Sequence, residues 1–268
     1  MEKVFISVIM GAFNSDPDKL LIAVNSILKQ TYDNFELIIC DDCSTDEKTA
    51  ICLKQLAQKD DRVVLLHNFI NMGLAQSLNN CIKVAKGKYI ARMDDDDYSH
   101  PDRFEKQVGF LNNHPEIGLV GCAINLFDDN GIWGSVKNVE RPQKEDFLFA
   151  TPFTHPTIMV KKEAYLKVNG YCAEKRTKRT EDYDLFMRLY SEGIKGFNLQ
   201  DCLFDYRMDS NGYKKQKFRY RIDEAVIKYR GFKKMGLLPR GYIYLIKPIV
   251  SGLIPGSIKS RLYKKRFK

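Results

Sequence analysis

The sequence has no stretch of about 18 or more uncharged apolar residues, so a conventional membrane span is not expected. It has no paired CxxC spacing either. The seven cysteines, Cys40, Cys43, Cys52, Cys81, Cys122, Cys172 and Cys202, are odd in number and scattered, which argues against a zinc site and fits a reducing compartment. No Gly-rich GxGxxG or Walker-type loop follows the first apolar run, which speaks against a dinucleotide dehydrogenase and a P-loop NTPase. An export signal is missing as well: MEKVFISVIMGAF carries one Lys, one Glu and an apolar run too short for one, and it reads as the first strand of a cytoplasmic protein.

What is present suffices for a substantial core. The 268 residues are 44% hydrophobic, which suits one domain or two closely joined lobes. The net charge of +9 is unevenly placed. Residues 1–211 hold 26 basic and 32 acidic groups, a balance of −6, whereas residues 212–268 hold 17 basic and 2 acidic groups, a balance of +15. A tail of that charge favours an anionic partner, either a lipid surface or a nucleic acid.

The first hundred residues alternate short β-branched runs with helical patterns, as a parallel sheet with crossover helices requires. VFISVIM, FELIIC, VVLLH and KYIARM read as buried strands. Leu20, Leu21, Val24, Ile27 and Leu28 predict one helical face, Ser44 with Glu47 predicts a capping box opening a second helix, and a third helix is expected from Leu74 to Ala85, stopping at Gly87. Pro101 is placed to open a helix containing Phe104, Val108 and Leu111, and a strand from Ile117 to Phe127 ends at the turn Asp129-Asn130-Gly131. Thr180 caps a helix beginning at Glu181, and Ile222, Ala225, Val226 and Tyr229 mark a basic amphipathic helix.

In such sheets ligands bind beyond the carboxyl ends of the strands. Those ends are polar here: Ala12-Phe13-Asn14 after the first strand, Asp41-Asp42 after the second, and Asp94-Asp95-Asp96-Asp97 after the fourth. Four consecutive aspartates repel one another unless a cation or hydrogen-bond donors compensate them, and a divalent ion, Mg²⁺ or Mn²⁺, is the economical answer. A solvated acidic loop is the competing reading.

The segments SVIMGAFN, QTYDNFELIICDDCSTD, NMGLAQSLNNCIKVAKGKYIARMDDDD, HPDRFEKQV and TEDYDLFMRL, in that order and spacing, resemble the inverting family-2 glycosyltransferases, including those of bacterial capsular and cell-surface polysaccharides. The resemblance covers roughly Phe5 to Arg207. It implies an α/β fold of the GT-A type, a Rossmann-like mixed sheet flanked by helices, followed by a helical basic tail. Residues 1–211 form the expected catalytic domain, with about 1–98 binding the nucleotide sugar and about 99–211 binding the acceptor, and 212–268 form the basic region. Ala12, Phe13, Asn14 and Asp16 are implied as a wall of the donor site, with Asp41, Asp42, Asn71, Gly73, Asp94 and Asp95 as further donor contacts. Asp94 and Asp96 are implied as metal ligands, Asp96 the stronger, and Asp182 as the general base that deprotonates the acceptor hydroxyl. His155, Glu181, Asp184 and Arg207 are implied as acceptor or phosphate groups.

Each assignment has a plainer rival: helix capping for Asp41 and Asp42, a tight turn for Gly73, a macrodipole for the acids at 181–184, a structural role for His155 and a salt bridge for Arg207. Relatives place a His where this chain has Asp209, so no His contribution to phosphate binding is assumed. The donor is expected to be UDP-linked and the acceptor lipid-linked or a polysaccharide. Lys214, Lys215, Lys217, Arg219 and Arg221, the apolar Tyr242-Ile243-Tyr244-Leu245-Ile246, and the terminal Arg261, Lys264, Lys265, Arg266 and Lys268 suit an anionic membrane at the inner face of the cell membrane. No nucleic-acid partner is expected, because a basic grip on phosphate leaves the ordered strand-end motifs unexplained.

Overall fold

The first apolar run becomes β1, Ile6–Ala12, in which Ile6, Val8, Ile9 and Met10 are all fully buried. Such a strand belongs at the centre of a sheet covered on both faces. The computed structural model describes residues 5–208 and 218–253. Asp209, Lys214, Lys215, Lys217 and the terminal basic run from Arg261 to Lys268 lie outside the described residues.

Chain order is β1, α1 (Pro17–Leu28), β2 (Phe35–Asp41), α2 (Glu47–Lys59), β3 (Val63–His67), α3 (Leu74–Val84), β4 (Tyr89–Arg92), β5 (Tyr98–Ser99), α4 (Arg103–Asn113), β6 (Ile117–Asp128), β7 (Gly131–Val136), β8 (Met159–Lys161), α5 (Lys162–Lys167), α6 (Glu181–Ser191), β9 (Lys195–Arg207), α7 (Phe218–Lys234) and α8 (Tyr242–Leu253). The strands form one sheet in the order β3-β2-β1-β4-β8-β6-β9-β5, with β7 hydrogen-bonded to β6. Strands β3, β2, β1 and β4 run parallel, β8 is antiparallel to both β4 and β6, and β9 runs parallel to β6. The short β5 pairs antiparallel with the end of β9, Tyr98 opposite Asp205, so the acidic run between β4 and β5 is held against the carboxyl end of β9.

Period-two alternation sorts the core into two faces. Ile6, Val8 and Met10 belong to one cluster with Leu20, Val24 and Ile27 of α1, Leu53 of α2 and Phe104 of α4, while Ile9 belongs to a second with Leu78 and Ile82 of α3, Leu185 and Leu189 of α6, and Ile227 and Phe232 of α7.

Three local expectations are corrected. In α1, Leu20, Ala23, Val24 and Ile27 are buried but Leu21 is 40% exposed, because it lies about 100° round the helix from Leu20, on the side away from Ala23. The cap of α2 is Asp46, which accepts from Lys48 N at 3.3 Å, and not Ser44, whose hydroxyl accepts from Asn14 N at 3.0 Å. The inward face of α7 is Ile227 and Phe232, with Asp223 and Lys228, whereas Ile222 and Tyr229 are exposed. A Cβ at Gly231 would overlap Met187 Sδ, so glycine lets α7 lie against α6 without displacing that side chain.

Candidate active site

Phe13, directly after β1, is exposed and offers a flat apolar face at the strand end beside Ala12, which is buried. Asn14 turns back at φ 49°, and its Oδ1 accepts from Thr45 N (2.8 Å) and Asp46 N (3.0 Å). Asn14 therefore fastens the β2–α2 loop to the β1 end, while the Asp16 carboxylate caps α1 by accepting from Asp18 N at 3.0 Å. Both side chains thus have structural partners within the strand-end loops. The neighbouring Ser15 hydroxyl donates to Asp95 Oδ2, linking the first strand end to the acidic run.

The two aspartates closing β2 divide their tasks. Asp41 accepts from Ser44 N at 2.9 Å and lies 3.0 Å from His67 Nδ1. Asp42 accepts from Met72 N (2.8 Å) and Asn68 Nδ2 (2.8 Å) at one oxygen and from Gly73 N (2.7 Å) at the other. Asn71 Nδ2 donates to Asp42 O at 3.3 Å. Asp42 thus acts through the 71–73 loop that it holds, rather than as an open acceptor. Gly73, at φ 85°, starts α3 with open space where a Cβ would stand, so it serves the turn.

At the acidic run, buried Arg92 pairs through Nη2 with Asp94 Oδ1 at 2.5 Å, and its Nε and Nη1 face no acceptor among the described residues. A fully buried guanidinium is stable only when charge and hydrogen bonds compensate it, and Asp94 supplies the charge. Burial above all, with Asp94 and Asp95 adding repulsion, pushes the Asp96 carboxyl up to about 6. Burial likewise raises Asp95 and holds Asp97 well above the usual carboxylate range. Asp97 accepts from Arg207 N at 2.7 Å through Oδ1 and buries Oδ2 without a partner. Arg207 donates from Nε to Asp96 O (3.1 Å) and from Nη1 to Asp129 Oδ1 (2.7 Å), so it closes the acidic run and also forms the salt bridge that competed with a phosphate role.

Unneutralised Asp96 beside Asp94 suits a divalent cation. Among the described residues no group of three or more His, Cys, Asp or Glu is arranged to hold an ion alone. One or two carboxylates with water and substrate phosphate completing the shell is the usual Mg²⁺ or Mn²⁺ arrangement, so the residues fit.

The first turn of α6 carries the remaining acids. Asp182 is pushed up to about 7, by burial first and then by Glu181, while backbone N–H groups and Arg92 pull it down. The Tyr206 phenol is raised by burial and by the negative charges of Asp94, Asp97, Asp96 and Asp182. The base candidate and the acidic run, distant in sequence, are therefore within electrostatic reach of the same phenol. Glu181 Oε2 is buried without a hydrogen-bond partner and lines a cavity of about 320 Å³ with Asn71–Ala75 and Arg179. Asp184 instead pairs with Arg188 Nε at 2.7 Å, and Arg188 Nη1 donates to Val168 O and Gly170 O, so Asp184 braces the turn before α6 rather than facing an acceptor. His155 Nε2 lies 2.8 Å from the Tyr171 hydroxyl, and burial, then Arg92, holds its pKa well below the ordinary value. It is held neutral, with Tyr171 as its hydrogen-bond partner. A larger cavity, about 460 Å³ and lined by Phe110, His114, Arg141 and Phe197, includes none of these residues.

The family model of glycosyl transferase family 2 matches residues 7–176. The chain belongs to that family. This family-2 glycosyltransferase is 41% identical over 261 residues to the EpsE protein of Bacillus subtilis (strain 168), covering 97% of this chain and 94% of EpsE. It is 31% identical over 229 residues to the UDP-Glc:alpha-D-GlcNAc-diphosphoundecaprenol beta-1,3-glucosyltransferase WfaP of Escherichia coli, covering 85% of this chain and 87% of WfaP. Its fold matches TarS 1-349 of S. aureus in complex with UDP-GlcNAc, with a TM-score of 0.68, 17% identity and coverage of 97% and 79%. It also matches the mannosyltransferase PcManGT of Pyrobaculum calidifontis in complex with GDP-Man and Mn2+, with a TM-score of 0.63, 19% identity and coverage of 97% and 70%. The glycosyltransferase thus has the mixed α/β sheet flanked by helices expected of the GT-A type.

Sequence reasoning missed Arg92, Ser15 and Tyr171. Arg92 had a signal: a charged residue inside the buried run YIAR needs a partner or a ligand. Ser15 and Tyr171 had none, since their partners lie 80 and 16 residues away in the chain.

Proposed function

We propose that the enzyme moves one sugar from a UDP-linked donor to a lipid-linked or polysaccharide acceptor in cell-surface glycan synthesis, with inversion at the anomeric carbon. The observation that carries this reading is the acid pair Glu181-Asp182 opening α6, with the Asp182 carboxyl pushed up to about 7, beside the cavity that the 71–75 loop lines. A base of that strength is half ionised near neutral pH and strong enough to take the acceptor's proton as the hydroxyl attacks. Asp96 and Asp94 would hold a divalent ion, Mn²⁺ or Mg²⁺, which supplies Lewis-acid stabilisation to the departing diphosphate. Arg92, fully buried behind Asp94, would orient that carboxylate through its ion pair. Phe13 offers its face to the base, and Asp42 keeps the 71–73 loop in position over the donor. The names of WfaP and of the TarS complex support a UDP-sugar, and that of WfaP supports a diphosphate-linked lipid acceptor.

The enzyme is proposed to act as a peripheral protein at an anionic membrane. Ile243, Ile246 and Val250 leave an apolar stripe exposed along α8, while no helix among the described residues is long and apolar enough to cross a membrane. The test of the chemical assignment is Asp182→Asn, for which turnover is expected to fall about 10²-fold or more with donor affinity kept. Near-normal turnover would remove Asp182 as the base.

A further inference from the structure

Two of the three donors to the Asp42 carboxylate, Met72 N and Gly73 N, belong to the loop that Asp42 holds, and they would move with it. The third, Asn68 Nδ2 at 2.8 Å, does not. Asn68 directly follows β3, and its own N–H donates to Asp41 O at 2.9 Å, so its backbone is fixed to the sheet. Between Asn68 and Met72 the chain carries Phe69 and Ile70 into solvent, at 93% and 67% exposure, so apolar packing does little to hold this loop. Hydrogen bonds to Asp42 hold it instead, and the orientation of that carboxylate decides where it sits.

Asn68 itself is buried, with every donor and acceptor of its amide in use. Nδ2 donates to Asp42 Oδ1 and, at 3.0 Å, to Ser77 Oγ, while Oδ1 accepts from Asn80 Nδ2 at 2.8 Å and from the Cys40 thiol at 3.4 Å. A side-chain amide has two donors and two lone pairs, so none is left over. Turning it by 180° would set Oδ1 against the Asp42 carboxylate and Nδ2 against the Asn80 amide, so a single orientation satisfies its neighbours. Asn80 is oriented in turn, because its Oδ1 accepts from Gln76 Nε2 at 3.0 Å, one turn back along α3. Gln76, Asn80 and Asn68 thus donate one to the next and end on a negative charge, where hydrogen bonds polarise one another and are strongest. An apolar residue of like size would close the contact between α3 and the sheet as well, but only an amide takes bonds from Asn80 and Cys40 and also gives one to Asp42. We propose that Asn68 is a positioning residue for donor binding: it fixes the plane of the Asp42 carboxylate, and through it the 71–73 loop, with Asn80 and Gln76 orienting its amide. The proposal rests on the reading that this loop lies over the donor.

Calorimetric titration of UDP, in excess Mn²⁺, into the full-length protein tests it in a cycle of Asn68→Ala, Asp42→Ala and the double variant, with thermal melts reporting that each is folded. Asn68→Ala is expected to weaken UDP about five-fold or more, and to add nothing beyond about two-fold once Asp42→Ala is present, because the two residues act as one unit. A residue serving only to pack α3 would lose the same factor in both backgrounds. Asn80→Ala, on the half-buried side of α3, should weaken UDP about three-fold, an effect that Asp42→Ala should likewise abolish. It carries the test if Asn68→Ala does not fold. Parental UDP affinity in Asn68→Ala, or a loss that adds to that of Asp42→Ala, would overturn the proposal and leave the loop reading intact. Parental affinity in Asp42→Ala would instead remove the loop from donor binding, and the proposal with it.

Discussion

Asp182 is held at an energetic disadvantage that its proposed role explains. Its carboxyl is raised to about 7, mainly by burial, so the neutral form is the one the folded protein favours. The stability linked to that form is fully present below the ordinary carboxylate pKa and is lost as pH rises through about 7. Asp182→Asn, besides removing the base, should therefore stabilise the fold at pH 8 by on the order of 1–3 kcal/mol, and much less at pH 4. Thermal melts at the two values check this, and a variant no more stable than the parent at pH 8 would contradict the burial argument. In the wild-type enzyme turnover should climb with pH through about 7, because only the ionised carboxylate accepts a proton. The acidic run and the acids of α6 were legible because like charges crowded at a strand end or helix start demand an explanation. Their individual duties were not: that Asp184 belongs to Arg188 and Asp42 to the 71–73 loop depends on which lone pairs are already taken, and spacing does not carry that.

The elements that were readable are those whose sequence and surroundings agree. Strands β1, β2 and β4 are buried on both faces, so an unbroken apolar run identifies them. The outward Ile222 and Tyr229 of α7 show the opposite case: an apolar stripe marks a helix but not which side meets the core, and the packing of Ile227 and Phe232 with the α6 cluster decides that. The loop at 71–73 is a similar tertiary product, since two of its backbone N–H groups end on Asp42. Charge-assisted bonds of this kind contribute about 1.5–3 kcal/mol each. Asp42→Ala should then raise the donor KM about ten-fold or more while turnover at saturation stays near that of the parent. Steady-state kinetics decides it, and an unchanged KM would separate the loop from donor binding.

At the scale of the whole molecule, the charge division at Asn211 does not coincide with a division of the core. Ile227, Phe232, Met235 and Leu237 lie in the same apolar cluster as Leu185 and Phe186 of α6, so removing everything after Asn211 would open that cluster. At about 1.5–3 kcal/mol for each large buried side chain, the loss rivals the whole stability of an ordinary domain, and truncation is no clean probe of membrane binding. Ile243→Ser with Ile246→Ser leaves the core untouched and should weaken co-sedimentation with anionic vesicles about ten-fold or more. Sedimentation equal to that of the parent would remove α8 from membrane attachment. The central claim, that the strand-end carboxylates bind a metal together with a nucleotide sugar, is tested most directly by titrating a UDP-sugar into the full-length protein and into Asp96→Ala, each with and without Mn²⁺. The account predicts tight binding by the parent only with Mn²⁺ and a loss of about ten-fold or more in the variant. Equal affinity in all four titrations would contradict it.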